Sequence, residues 1–186
     1  VFDGNGYTIS VPGIALFNAI EKNAIVKNFN LKLTRDYILT VDSRFGSVAI
    51  QSEGTIEGVK TNGTIVQGTI GWIGGIVGCA YDGIIKYCKN EINFTITNHH
   101  ATLYNNILGG IVARSDDDVQ IYKCWNAGNL TLDIQDSPDS SPQGNSNGGI
   151  VGTGNWKTNL IKECANSGLI STSYTNIVEG FAPCSN

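Results

Sequence analysis

The chain holds 186 residues, 41% of them hydrophobic, with 12 basic and 16 acidic side chains and a net charge of −4. That length fits one domain with a real core, and the charge excludes a generally basic nucleic-acid binder or membrane-surface protein. No run of 18 apolar residues exists, so no helical membrane span is expected. The composition is rich in Gly (23), Ile (23), Asn (20) and Thr (15), which points to many short strands joined by tight turns, not to a helical bundle.

Along the chain the same pair of signatures returns. The first copy (1–40) opens with Phe2-Asp3-Gly4-Asn5-Gly6-Tyr7-Thr8-Ile9, in which Gly4-Asn5-Gly6 reads as a turn. It continues with Ala15-Leu16-Phe17-Asn18 and then Val26-Lys27-Asn28-Phe29. The second (41–70) carries Ser47-Val48-Ala49 and Ile56-Glu57-Gly58-Val59, followed by Gly63 and Ile65. The third (71–105) is sharper: Gly74-Gly75-Ile76-Val77-Gly78, then Ile85-Lys86-Tyr87-Cys88-Lys89-Asn90. The fourth (106–145) has Gly109-Gly110-Ile111-Val112-Ala113 and Ile121-Tyr122-Lys123-Cys124-Trp125-Asn126-Ala127-Gly128. The fifth (146–175) has Gly148-Gly149-Ile150-Val151-Gly152 and Ile161-Lys162-Glu163-Cys164-Ala165-Asn166-Ser167-Gly168. A partial sixth (176–186) contains Asn176-Ile177-Val178-Glu179-Gly180-Phe181. In the three sharp copies, the step from first Ile to Cys is 12, 13 and 14 residues, so length varies only in the loop between signatures.

Three apolar columns follow. One reads Leu16, Val48, Ile76, Ile111, Ile150, Phe181; another Phe29, Val59, Cys88, Cys124, Cys164; a third Ile65, Phe94, Leu130, Ile170. A unit of two or three strands cannot close a core alone, but stacked units bury a continuous one. The expected fold is therefore all-β, a single β-solenoid over 1–186 of about five to six coils, ~4.8 Å apart. A β-sandwich would also show short alternating strands, but would not return the same residue types at corresponding positions.

The opening Phe2–Ile9 segment with Leu16 and Phe29, and the later Gly-Gly-Ile-Val-Gly and Cys-x-Asn-x-Gly segments, resemble GLUG-motif and filamentous-haemagglutinin-like repeats. The resemblance covers nearly the whole chain and implies a right-handed parallel β-helix. It implies secreted or surface-anchored adhesins, peptidase passenger regions and structural stalks, and it carries over no catalytic residue. The chain departs from the pattern where Asn18 and Ile50 replace the Gly closing the first signature.

Individual residues offer weaker signals. Cys88, Cys124 and Cys164 form a column in which each packs as a small hydrophobe; neighbouring coils would also bring one pair, such as Cys88 and Cys124, within disulfide range. Cys79 and Cys184 hold equivalent positions too far apart to bond. Beyond each Cys, outward positions carry Thr64, Thr95, Thr97, Thr131, Ser171 and Ser173, interrupted by Val66, Asp133 and Leu169. The plain reading is solvent-facing strand residues; an ice-binding face is the alternative. Sequons at Asn62, Asn93 and Asn129 are glycosylation candidates, the last two in register. Asp116-Asp117-Asp118 beside Arg114 is the one carboxylate cluster and a weak calcium candidate, read first as a solvated loop. His99-His100 reads as a loop, and the polar insertion from Ser137 to Gly148 as a mobile projection.

The functional expectation is a non-enzymatic structural or adhesive β-helix, outside the cell or on its surface, with no cofactor, no metal and no nucleic acid. Its partners would be other copies meeting at solenoid ends, or the rest of a longer chain, and a glycan or other surface ligand. The lack of Met, with Val1 first, reads as a mature product or fragment. The other readings are ice binding and a polysaccharide-binding or polysaccharide-degrading β-helix of the lyase kind.

Overall fold

A computed structural model describes residues 1–34, 43–67, 71–98, 106–135, 146–154 and 160–175. These residues form strands and turns, and every strand pairing is parallel. His99, His100, Cys184, Phe181 and residues 137–145 of the polar insertion lie outside the described residues.

Three sheets share the strands. A four-stranded sheet joins Ser43–Gly46, Gly71–Gly74, Ile107–Gly109 and Ser146–Gly148. A five-stranded sheet joins Phe17–Ile20, Ala49–Ser52, Val77–Ala80, Val112–Ser115 and Val151–Gly154. The twelve-stranded sheet begins at Phe2–Asp3 and ends at Ile170–Thr175. Parallel neighbours need a long crossover. From Ile25–Leu33 onward each crossover is a circuit through all three sheets, so a strand meets its counterpart from the next repeat; the first crossover passes through the five-stranded sheet alone. That architecture is all-β with parallel sheets and compatible with a β-solenoid.

The register reproduces the columns read from sequence. Val48 donates its backbone N–H to Ile76, Ile76 to Ile111 and Ile111 to Ile150, at 2.9–3.0 Å. Phe29 faces Val59, and Phe94 stands between Ile65 and Leu130, with Ile170 beyond. All of these but Ile170 belong to one continuous core or pack against it. Asp116 to Asp118 do lie in a loop. The insertion is shorter than expected, because Ser146–Gly148 is a strand paired with Ile107–Gly109.

Two local devices bend the circuits, the first in the third to fifth and the second in all five. The first is the double glycine, which the structure makes a corner rather than a strand: Gly74 ends one strand and Val77 begins the next. A Cβ on Gly74, Gly109 or Gly148 would run into the carbonyl of Val77, Val112 or Val151, so only glycine closes that corner. The second is a left-handed residue in the middle of the long sheet. Asn28, Gly58, Tyr87, Lys123 and Glu163 occupy one register position with φ of 57°, 61°, 56°, 49° and 54°. The column Phe29, Val59, Cys88, Cys124, Cys164 follows directly after that kink.

Candidate functional site

The buried half of the molecule holds two polar ladders. The Cys column is one. Cys88, Cys124 and Cys164 are free thiols, as is Cys79, so the structure contains no Cys88–Cys124 bridge. The kink turns backbone carbonyls toward each sulfur: Cys88 Sγ lies 3.3 Å from the Lys86 carbonyl, and Cys124 Sγ 3.5 Å from those of Tyr122 and Ile85. Cys164 Sγ repeats this with Lys162 and Ile121 at 3.4 and 3.6 Å. The hydrogen bond with Cys88 and burial both raise the Cys124 pKa well above the ordinary thiol range. Burial also raises Cys164 and Cys79. Neutral thiols of this kind are poor nucleophiles and poor metal ligands.

The second ladder escaped the sequence reading. Asn90 Nδ2 donates to Asn126 Oδ1 at 2.8 Å, and Asn126 Nδ2 donates to Asn166 Oδ1 at 2.7 Å. Asn90 and Asn126 are fully buried. Asn126 also donates to the Gly128 carbonyl at 3.0 Å, and Asn166 to Gly168 at 2.9 Å. The ladder explains why the two sequence signatures travel together. A Cβ on Gly75, Gly110 or Gly149 would press into the amide of Asn90, Asn126 or Asn166. The second glycine of each pair thus makes room for the asparagine of the same circuit. In the second repeat both partners change: Ser47 stands where the others have Gly, and Thr61 where they have Asn. Thr61 Oγ1 donates to Asn90 Oδ1 at 2.9 Å and Ser47 Oγ to the Gly75 carbonyl, so the ladder still starts satisfied.

The outward rows beyond the Cys fall where expected. Thr95 faces Thr131 and Val66, and Thr131 faces Ser171. Thr97 faces Asp133, which faces Ser173; Ser173 Oγ donates to Asp133 at 2.8 Å. Thr64 faces Asn93, and both are exposed. Asn93 and Asn129 are in register, and their side-chain oxygens accept the N–H of Asn129 and Leu169 at 2.9 Å. Asn62 is half-buried, between Lys32 and Glu91 in register. Inward Thr172 is exposed; among the described residues its strand pairs on one side only.

The acidic loop divides. Asp117 and Asp118 are exposed and border a cleft with Glu53, Tyr81 and Asp82. Asp82 is already held, by the Gly83 N–H at 2.7 Å and Lys22 at 3.1 Å, and both lower its pKa. Asp116 pairs with Arg114 at 2.8 Å, and the Arg114 guanidinium lies 4.7 Å over the Trp72 ring. Arg44 covers the same ring at 4.6 Å and donates to Tyr81 at 3.0 Å. Arg114 is therefore engaged on two sides, not free to act as a base. Among the described residues, no three His, Cys, Asp or Glu side chains gather to hold a metal.

A third outward surface combines aromatic rings with lysines on the long sheet. Asp3, Lys27, Glu57, Lys86, Tyr122 and Lys162 form one row, and Lys60, Lys89, Trp125 and Ala165 another. Tyr87 stands on the kink between them, 50% exposed, its ring 5.7 Å from Tyr122; Trp125 is 42% exposed. Lys89 lies 4.1 Å over Trp125 and Lys123 5.0 Å over Tyr122. Glu91 bridges Lys60 and Lys89 at 2.9 and 2.6 Å, which lowers its pKa. The chain matches no family model, no curated protein and no solved structure.

Proposed function

We propose that the chain is a right-handed parallel β-helix of the GLUG-like kind. It serves as a structural or adhesive rod outside the cell or on its surface, its end circuits covered by other copies stacked head to tail or by further coils of a longer chain. The right hand follows from the strong bias of parallel crossovers. The observation that carries the stacking is the row of Phe2, Val26, Ile56, Ile85, Ile121 and Ile161. Its middle members are buried, while Phe2 and Ile161 are exposed. The neighbouring row begins with Asp3 and closes with Lys162, and within the molecule Asp3 already pairs with Lys27 at 3.3 Å. A second copy would place its Phe2 on Ile161 and its Asp3 on Lys162. Such a heterologous contact repeats without closing and gives filaments. The outward rows in register, sequons included, then display their groups at regular spacing along the filament.

The test is sedimentation velocity and electron microscopy of the full chain over a concentration series. Concentration-dependent rods are expected, weakened by Lys162→Asp and restored when Lys162→Asp is mixed with Asp3→Lys. Monomers alone at high concentration would overturn the stacking.

A further inference from the structure

We propose that the aromatic and lysine strip on the long sheet binds a polyuronate chain, a polysaccharide bearing about one carboxylate per sugar. The inference rests on three observations beyond the rod itself.

The first is the conformation of Tyr87. A bulky side chain at φ 56° is strained; the earlier circuits meet the same kink with Asn28 and Gly58, which suit it better, and the later ones with Lys123 and Glu163, so Tyr87 is the one aromatic residue on a kink that recurs in every circuit. Here the strain leaves an aromatic ring half-exposed beside Tyr122 and one row from Trp125. Exposed rings on a rigid strand surface offer flat apolar faces with polar tips, the form that suits a sugar ring. Trp125 is further steadied by its Nε1–H, which donates to Ser167 Oγ at 2.8 Å.

The second is charge segregation. Around the rings Lys60 and Lys89 share Glu91, Lys86 pairs with Glu57, and Lys123 and Lys162 share Glu163, so five lysines are balanced by three glutamates. The strip is thus net positive on a chain of net charge −4. The opposite balance holds at the corner between the second and third sheets, with Glu53, Asp82, Asp117 and Asp118. Glutamates lie between the lysines in the second, third and fifth circuits, so a densely sulfated polymer would meet repulsion at each of these. A chain with single, spaced carboxylates would fit between them.

The third is spacing. Equivalent positions advance ~4.8 Å per circuit, about the length of one sugar ring. A chain lying along the rod would therefore meet Tyr87, then Tyr122 and Lys123, then Lys162, one sugar per circuit.

The test is titration calorimetry at low salt with oligogalacturonate, neutral dextran and dextran sulfate, below the concentration at which the protein self-associates. Oligogalacturonate is expected to bind, neutral dextran to bind at least tenfold more weakly, and dextran sulfate to bind no tighter than oligogalacturonate. Tyr87→Gly is the decisive variant. Glycine removes the backbone strain, so its melting temperature is expected to hold or rise while affinity falls at least tenfold. Trp125→Ala is expected to lose affinity likewise, and Lys22→Ala, at the far corner, to keep it. Absence of oligogalacturonate binding, equal binding of dextran, tighter binding of dextran sulfate, or full affinity in Tyr87→Gly would each overturn the proposal. Because the binding is read on separated molecules, its failure leaves the stacking untouched, and the reverse also holds.

Discussion

The fourth and fifth repeats carry nearly the same signatures, yet their interiors differ. Ile121 is 1% exposed and Ile161 39%; Leu130 is 0% exposed and Ile170 40%. Cys124 is buried while Cys164 is only half-buried. The residues are equivalent in register, so the difference lies in neighbours. A circuit with strands on both sides is fully buried; one with strands on a single side is not. Stability in such a stack is a sum of nearest-neighbour contacts. The same substitution should therefore cost much more in the fourth circuit than in the fifth.

The largest contrast is expected at the corner glycines. A Cβ on Gly110 meets the Gly149 carbonyl and the buried Asn126 amide, whereas on Gly149 it meets the exposed Asn166 amide. Gly110→Ala should cost roughly 4 kcal/mol in urea unfolding, and Gly149→Ala less than half of that. Next comes the apolar row. Ile121→Ala should cost about 3 kcal/mol by the same measurement, and Ile161→Ala under ~1.5. The amide ladder should follow. Asn126→Leu strands a buried Asn90 donor and should cost about 2 kcal/mol, while Asn166→Leu, at the exposed end, should cost ~1 or less.

The smallest contrast is chemical. In the native protein a thiol reagent should label Cys164 before Cys88 or Cys124, as read by mass spectrometry. The raised Cys124 pKa adds a pH dependence. Above the unfolded thiol value of ~8.5 the unfolded chain releases a proton that the folded state keeps. Stability should therefore be intact below that pH and fall as pH rises beyond it, and Cys124→Ala should flatten the fall more than Cys164→Ala.

Much of this was legible in the sequence, and the omissions have physical causes. Repeated Ile, Val and Cys at matching offsets gave the columns, because a stacked core demands like residues in register. The asparagine ladder was hidden because Asn is commonest in turns; its burial depends on Gly75, Gly110 and Gly149, each from 15 to 17 residues earlier in the chain. The left-handed kink was hidden because Tyr87, Lys123 and Glu163 occupy it alongside the more usual Asn28 and Gly58. The engagement of Arg114 was hidden because its partner ring, Trp72, arrives from another sheet and another circuit. What sequence reading supplies well is the repeat; what it misses is how one circuit's side chains fill the spaces left by another's.

The fifth circuit is the exposed end of the described stack, and the head-to-tail reading proposes that a second copy covers it. Hydrogen exchange followed across a protein concentration series tests this most directly. Amides of 160–175 should exchange quickly in dilute protein and gain protection as concentration rises, while those of 107–135 stay protected throughout. Exchange of 160–175 that does not change with concentration would contradict the account.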